Sequence, residues 1–238
     1  MKKIWVSVPA YTGTVAVETA YCLNVEVYEA INRNIPILTQ FHEGDSIISR
    51  CRNMMLMRFL DSDFTDLIFL DSDVGFESGT LCKLAEYPVD IVGAVYPFKT
   101  DEVGYPVRYM KREFLQADPE HGLLEVDALP AGCLKVSRHA LETMIKKFPE
   151  LEYVEANVPQ GKAYALFDFV RKNGIFYGED YVFCALAREA GFKIWCDPEI
   201  PMQHIGPKRY KGHFGNWLRS RNDPFAQIHA FNKKFATR

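Results

Sequence analysis

A chain of 238 residues, 48% hydrophobic and 25% charged, has ordinary globular composition and enough apolar material for a sizeable core, which excludes a disordered or fibrous protein. No apolar stretch approaches the ~20 residues that span a bilayer, and Ile4 is reached with no basic-then-apolar leader, so the expected compartment is the cytoplasm. Net charge is −3, but from Lys208 onward there are eight basic residues and one acid, leaving 20 basic and 30 acidic residues upstream: a body of −10 and a tail of +7, whose expected partner is anionic, a diphosphate, a nucleic acid or a lipid surface.

Residues 4–8 read as a first strand, and Pro9-Ala10-Tyr11-Thr12-Gly13 turns out of it toward a helix over about 15–32. In an open α/β sheet the loop after the first strand lines the ligand crevice, which makes Tyr11 a candidate to stack on a base. A second strand is expected at 35–40, followed by a polar loop at 42–45. From Ser46 to Leu60, the residues Ile47, Ile48, Cys51, Met54, Met55 and Phe59 form a helical apolar stripe. That stripe puts Arg50 and Asn53 on the other side and Arg52 near its edge, where a guanidinium can reach a phosphate or a nucleobase. Asp61-Ser62-Asp63, coming after this helix, reads as a solvated turn.

Leu67-Ile68-Phe69-Leu70-Asp71-Ser72-Asp73 differs from that earlier Asp-x-Asp because an apolar run bounded by charge reads as a buried strand. Its carboxylates therefore fall at a strand's carboxyl end, where α/β chemistry gathers. Two hard oxygen ligands with room left for phosphate oxygens suit Mg²⁺ or Mn²⁺. A helix ending near Tyr87, a strand at 90–96 stopped by Pro97, and a polar stretch with a hairpin near 118–122 follow. Residues 127–136 read as turn and strand, with Ala131-Gly132 allowing close backbone approach to a ligand.

Residues 138–148 form an amphipathic helix, whereas 149–174 show no strong periodicity. Gly178-Glu179-Asp180 opens a helix that ends before Gly191, with acids placed where a helix amino terminus stabilises them. A strand at 192–197 precedes His204, and a neutral imidazole is a good third ligand beside two aspartates. The six cysteines carry no C-x-x-C pair and read as free thiols.

In this order, over about 4–208, the features resemble a GT-A glycosyltransferase, and most closely the large inverting family that includes bacterial polysaccharide glycosyltransferases. The resemblance implies a single GT-A, Rossmann-like α/β domain at 1–207 with a mixed, mostly parallel sheet flanked by helices. Residues 208–238 would then be a basic extension packing on or near the active site. It implies a metal-dependent hexosyl- or pentosyltransferase that uses a nucleotide-diphosphate sugar, with Mn²⁺ or Mg²⁺ held by Asp71, Asp73 and His204.

Pro9, Ala10 and Tyr11 resemble the family's first nucleotide-binding loop, and Arg52-Asn53 its pair before the metal strand. Ser72 lies between the metal aspartates, and Gly132 resembles the small residue under the donor sugar. Asp180 resembles the base of inverting members, with Glu179 beside it, and His204-x-Gly206-x-Lys208 resembles an arrangement whose lysine meets the donor phosphates. The chain has no Gln-x-x-Arg-Trp, the signature of processive synthases. A basic tail beside a sugar-transfer site would suit a polyanionic acceptor: a hydroxylated DNA base, a glycan or a lipid phosphate. Two other readings stand beside this one, a metal-dependent nucleotidyltransferase and a nucleotide or nucleic-acid binding module without catalysis.

Overall fold

The computed structural model describes residues 1–110, 115–155 and 162–221. Strand β1 (Ile4–Ala10) is buried along most of its length, as the interior of a parallel sheet requires. Helix α1 (Val17–Asn32) leads to β2 (Ile37–Glu43), and helix α2 (Ile48–Leu60) to β3 (Asp66–Leu70); both strands pair in parallel with β1. Next come β4 (Val74–Phe76), helix α3 (Thr80–Glu86), β5 (Ile91–Ala94), β6 (Leu124–Val126), β7 (Cys133–Ser137) and helix α4 (Arg138–Lys147). Four short strands follow, β8 (Glu152–Val154), β9 (Lys162–Tyr164), β10 (Val170–Lys172) and β11 (Ile175–Tyr177). Helix α5 (Glu179–Glu189), β12 (Ile194–Asp197), β13 (Pro201–Ile205), β14 (Arg209–His213) and helix α6 (Phe214–Arg219) complete the order.

One seven-stranded sheet runs β2-β1-β3-β7-β5-β12-β6. Strand β7 is antiparallel to β3 and β5, and β6 to β12, while the remaining strands share one direction, so the expected α/β class and mixed, mostly parallel sheet are present. Strand alternation divides the core in two. Leu67 and Phe69 enter a cluster with Phe59, Leu141, Met144 and Phe183 of α2, α4 and α5. Ile68 and Leu70 enter another with Leu23, Ala30, Leu81 and Leu84 of α1 and α3. Helices thus cover both faces, and the polar residues that follow β1, β3 and β5, with Gly132 before the antiparallel β7, meet along one edge of the sheet.

Strand β2 runs on to Glu43, taking His42 from the expected loop. The pair β13–β14 was not expected, because β14 is a partly exposed strand with no apolar alternation to mark it. Residues 209–213 are paired with β13, so the first part of 208–238 belongs to the body of the fold; Lys233, Lys234 and Arg238 lie outside the described residues. The cysteines are free thiols, as expected. No helix among the described residues is long and apolar enough to cross a membrane.

Candidate active site

Leu67 to Leu70 are wholly buried, so β3 can present charge only where it ends. There the Asp71 N–H donates to Gly132 O at 3.0 Å, and the Val74 N–H returns to Asp71 O at 3.2 Å, making a tight turn. Strand β4 then pairs with β13 so that Val74 opposes His204, and the Ile205 N–H donates to Asp73 O at 2.7 Å. This small sheet brings a histidine from far along the chain to the second aspartate, with His204 Nε2 3.6 Å from Asp73 Oδ1.

His204 Nδ1 lies 3.0 Å from Pro97 O. A carbonyl only accepts, so Nδ1 carries the proton and the lone pair of a neutral ring sits on Nε2. That lone pair faces a carboxylate, an arrangement that a proton or a cation between them relieves. Lys99 Nζ contacts the other oxygen of Asp73. Burial alone would raise the Asp73 carboxyl, but the Lys99 ammonium, and His204 when its ring carries a proton on both nitrogens, hold it below its ordinary value.

Asp71 is turned the other way. Arg52 Nη2 donates to its Oδ1 at 2.8 Å, and the Tyr96 hydroxyl donates to its Oδ2 at 3.2 Å. Gly132 permits this, since a Cβ there would collide with both Asp71 Oδ2 and the Tyr96 hydroxyl. Arg52 Nη1 donates to Glu179 Oε1, so one guanidinium bridges α2, the end of β3 and the start of α5. Its face lies 6.0 Å from the ring centroids of Phe69 and Phe167.

The structure corrects the expected place of Asn53, which is buried at 3% exposure, while Arg52, expected near the edge of the apolar stripe, is buried at 4%. Asn53 donates to Phe167 O at 2.8 Å and accepts from the Phe167 N–H at 2.9 Å, which satisfies its amide and pins the loop before β10. Buried polar groups persist when they are paired in this way.

Glu179 and Asp180 occupy the first turn of α5, with Gly178 as its N-cap. Glu179 is engaged by Arg52, whereas Asp180 Oδ1 accepts the Tyr181 N–H at 2.8 Å. Burial, followed by the neighbouring Glu179 charge, pushes the Asp180 carboxyl up to about 6.

A cleft of about 440 Å³, within the range of small-molecule sites, gathers Pro9, Tyr11, Arg52, Asp71, Ser72, Asp73, Glu179, Asp180 and His204. Asp45, Ser46, Ile48 and Tyr96 line it too and were missed. Asp45 and Tyr96 each follow the end of a strand aimed at this edge, the one signal that marked them. Ala10, Asn53, Gly132 and Lys208 do not line it. Lys208 instead pairs with Asp101 and lies over Tyr210, its Nζ 5.1 Å from the ring centroid.

Among the described residues, no three His, Cys, Asp or Glu side chains converge as a closed metal cage would. The pair Asp73 and His204, with Asp71 two positions before Asp73, nevertheless fits Mn²⁺ or Mg²⁺. These ions take one or two carboxylates and complete their shells from water and phosphate oxygens.

No family model matches the chain, and comparison with curated proteins finds no match. Solved structures to which the chain is similar include the catalytic domain of Drosophila β1,4-galactosyltransferase 7 in complex with xylobiose, at 14% identity and TM-score 0.47 over 93% of this chain and 74% of that one. A second is a glycosyltransferase involved in glycosylation of the major capsid of PBCV-1, at 12% identity and TM-score 0.31 over 66% and 68% of the two chains. A third is S. aureus TarS 1–349, at 14% identity and TM-score 0.42 over 83% of this chain and 58% of that one.

Proposed function

We propose that the protein is a metal-dependent glycosyltransferase of the GT-A type, moving a hexose or pentose from a nucleotide-diphosphate sugar to an acceptor hydroxyl with inversion. The observation that supports this best is a single cleft holding both the Asp73–His204 pair at the carboxyl edge of the sheet and Asp180, whose carboxyl is pushed up to about 6 by burial. Pro9, Tyr11, Asp45 and Ser46 would receive the nucleotide, with the Tyr11 ring, 61% exposed, available for stacking. Lys99 has a flexible stem and its ammonium already lies at Asp73, from which it can pass to a donor phosphate oxygen. A divalent cation held by Asp73 and His204, with Asp71 joining them only on turning from Arg52 and Tyr96, would neutralise the charge developing on the leaving diphosphate.

Asp180 takes the proton of the acceptor hydroxyl as that oxygen bonds to the anomeric carbon. The bond from this carbon to the diphosphate oxygen breaks, and its electron pair leaves with the diphosphate. Glu179 has a different part: its carboxylate holds Arg52, and its charge raises Asp180. Lys208 remains a proposal for the donor phosphates that requires it to leave Asp101. On the acceptor side, the exposed Arg108 guanidinium lies 4.9 Å from the Tyr177 ring centroid and 4.4 Å from that of Tyr181, the residue after Asp180. An arginine held by aromatic stacking keeps its N–H edge for an anion. This supports a polyanionic acceptor, whether hydroxylated DNA, a glycan or a lipid phosphate, met in the cytoplasm.

Calorimetric titration of nucleoside diphosphates with Mn²⁺ tests the donor site. Wild-type protein is expected to bind one of them, with affinity lowered at least about tenfold in Asp73→Asn and His204→Ala, each removing about 1.4 kcal/mol or more. Absence of any metal-dependent nucleotide binding would contradict the proposal.

A further inference from the structure

Helix α1 buries Thr19, Leu23, Glu26 and Ala30 against the sheet and α3. Its opposite face carries Val17, Tyr21, Asn24, Tyr28 and Ile31, and the four apolar members are 80%, 69%, 67% and 64% exposed. They recur at alternating spacings of four and three, the spacing of a helix–helix seam. None is charged, although a solvated helix face is ordinarily polar.

The row is also a palindrome: aliphatic, tyrosine, asparagine, tyrosine, aliphatic. A two-fold interface places residue i against j and j against i. Two such helices crossing antiparallel at Asn24 set Val17 against Ile31, Tyr21 against Tyr28 and Asn24 against itself. An amide is both donor and acceptor and so complements its own copy. The Asn24 side chain uses one N–H on Ala20 O, at 3.1 Å, and keeps the other N–H and its carbonyl for such a pair.

We propose that this face of α1 is a two-fold interface between copies of this chain. Glu18 and Glu29, on one flank of the row, are already paired with Arg209 and Arg33. Opposed helix dipoles favour the antiparallel sense. The row spans about 21 Å at the helical rise of about 1.5 Å per residue. With two tyrosines and two aliphatics on each side it can bury at most roughly 1,000 Å² in total, the lower bound for a specific interface, which suits a weak, exchanging dimer.

Sedimentation equilibrium of the full-length protein is expected to show the 27.3 kDa chain passing to twice that mass with a Kd of about 1–100 μM. Tyr28→Glu, at an exposed position, should weaken this at least about tenfold while leaving the unfolding temperature unchanged. Asn24→Cys should form a disulfide with its own copy on mild oxidation, and Tyr21→Cys should cross-link to Tyr28→Cys faster than to itself. A chain that stays monomeric throughout that range, dimerises undiminished with Tyr28→Glu, or dimerises only after removal of residues 222–238 would overturn the proposal. In the last case the occupant of the face is the chain's own end.

Discussion

Asp180 is the residue on which the proposed chemistry turns, because its carboxyl lies at about 6 instead of the ordinary 3.8. A base must be ionised, so kcat/KM is expected to rise with pH, reach half its plateau near pH 6 and stay level above. Asp180→Asn should lower it by about 10²- to 10⁴-fold. The same shift carries a stability consequence of opposite sign. The folded state binds this proton more tightly than the unfolded state, so stability falls as pH rises from about 4 to about 6 and the loss persists at neutrality. Asparagine removes that cost, and Asp180→Asn should be more stable by about 1–3 kcal/mol at pH 7, read as a higher unfolding temperature than wild type, with the gain absent at pH 3–4. Gly132→Ala tests a different residue: its Cβ would push Tyr96 off Asp71, with an expected loss of about 1–3 kcal/mol of stability by chemical denaturation.

Among the elements, Arg52 acts as a strut joining α2, the end of β3 and the start of α5. Removing one partner of a buried ion pair strands the other charge, so Arg52→Met should cost about 3–5 kcal/mol by denaturant titration. Adding Glu179→Gln to that variant should recover part of the loss, because one stranded charge disappears.

This strut also shows where sequence reading stopped. Strands β1, β2, β3, β5, β7 and β12, helices α1 to α5 and the Asp-x-Asp were legible because each is written in a local period or a run of apolar residues bounded by charge. Asn53 was placed on the solvent side, and Arg52 only near the edge of the apolar stripe, because an amphipathic pattern assigns polar residues away from the core. Their partners Glu179 and Phe167 lie 127 and 114 residues away, beyond any local pattern. His204 was legible as a residue type near the end of the chain, but the strand that delivers it to Asp73 was not, since β13 and β14 are too exposed to show alternation. Lys99 left no signal at all: a flexible side chain in a polar loop becomes part of the site only through the fold.

At the scale of the whole molecule, the charge asymmetry is partly absorbed within the structure. Lys208, Arg209 and Arg219 pair with Asp101, Glu18 and Glu199 of the body. Any capacity of the chain's end for a polyanion is therefore expected to rest on Lys211, Arg221, Lys233, Lys234 and Arg238 together with Arg108. Replacing Lys233 and Lys234 by glutamine should weaken binding of a single-stranded oligonucleotide and flatten the slope of log K against log salt by about 1–2. Arg108→Gln should lower transfer to a charged acceptor while leaving nucleotide binding unchanged.

The central claim, sugar transfer from a nucleotide donor, is tested most directly by incubating the protein and Mn²⁺ with a panel of nucleotide-diphosphate sugars and measuring release of free nucleoside diphosphate. The expected result is slow hydrolysis of one donor that requires the metal and is abolished by Asp73→Asn. Hydrolysis of none, or release that Asp73→Asn leaves intact, would contradict it.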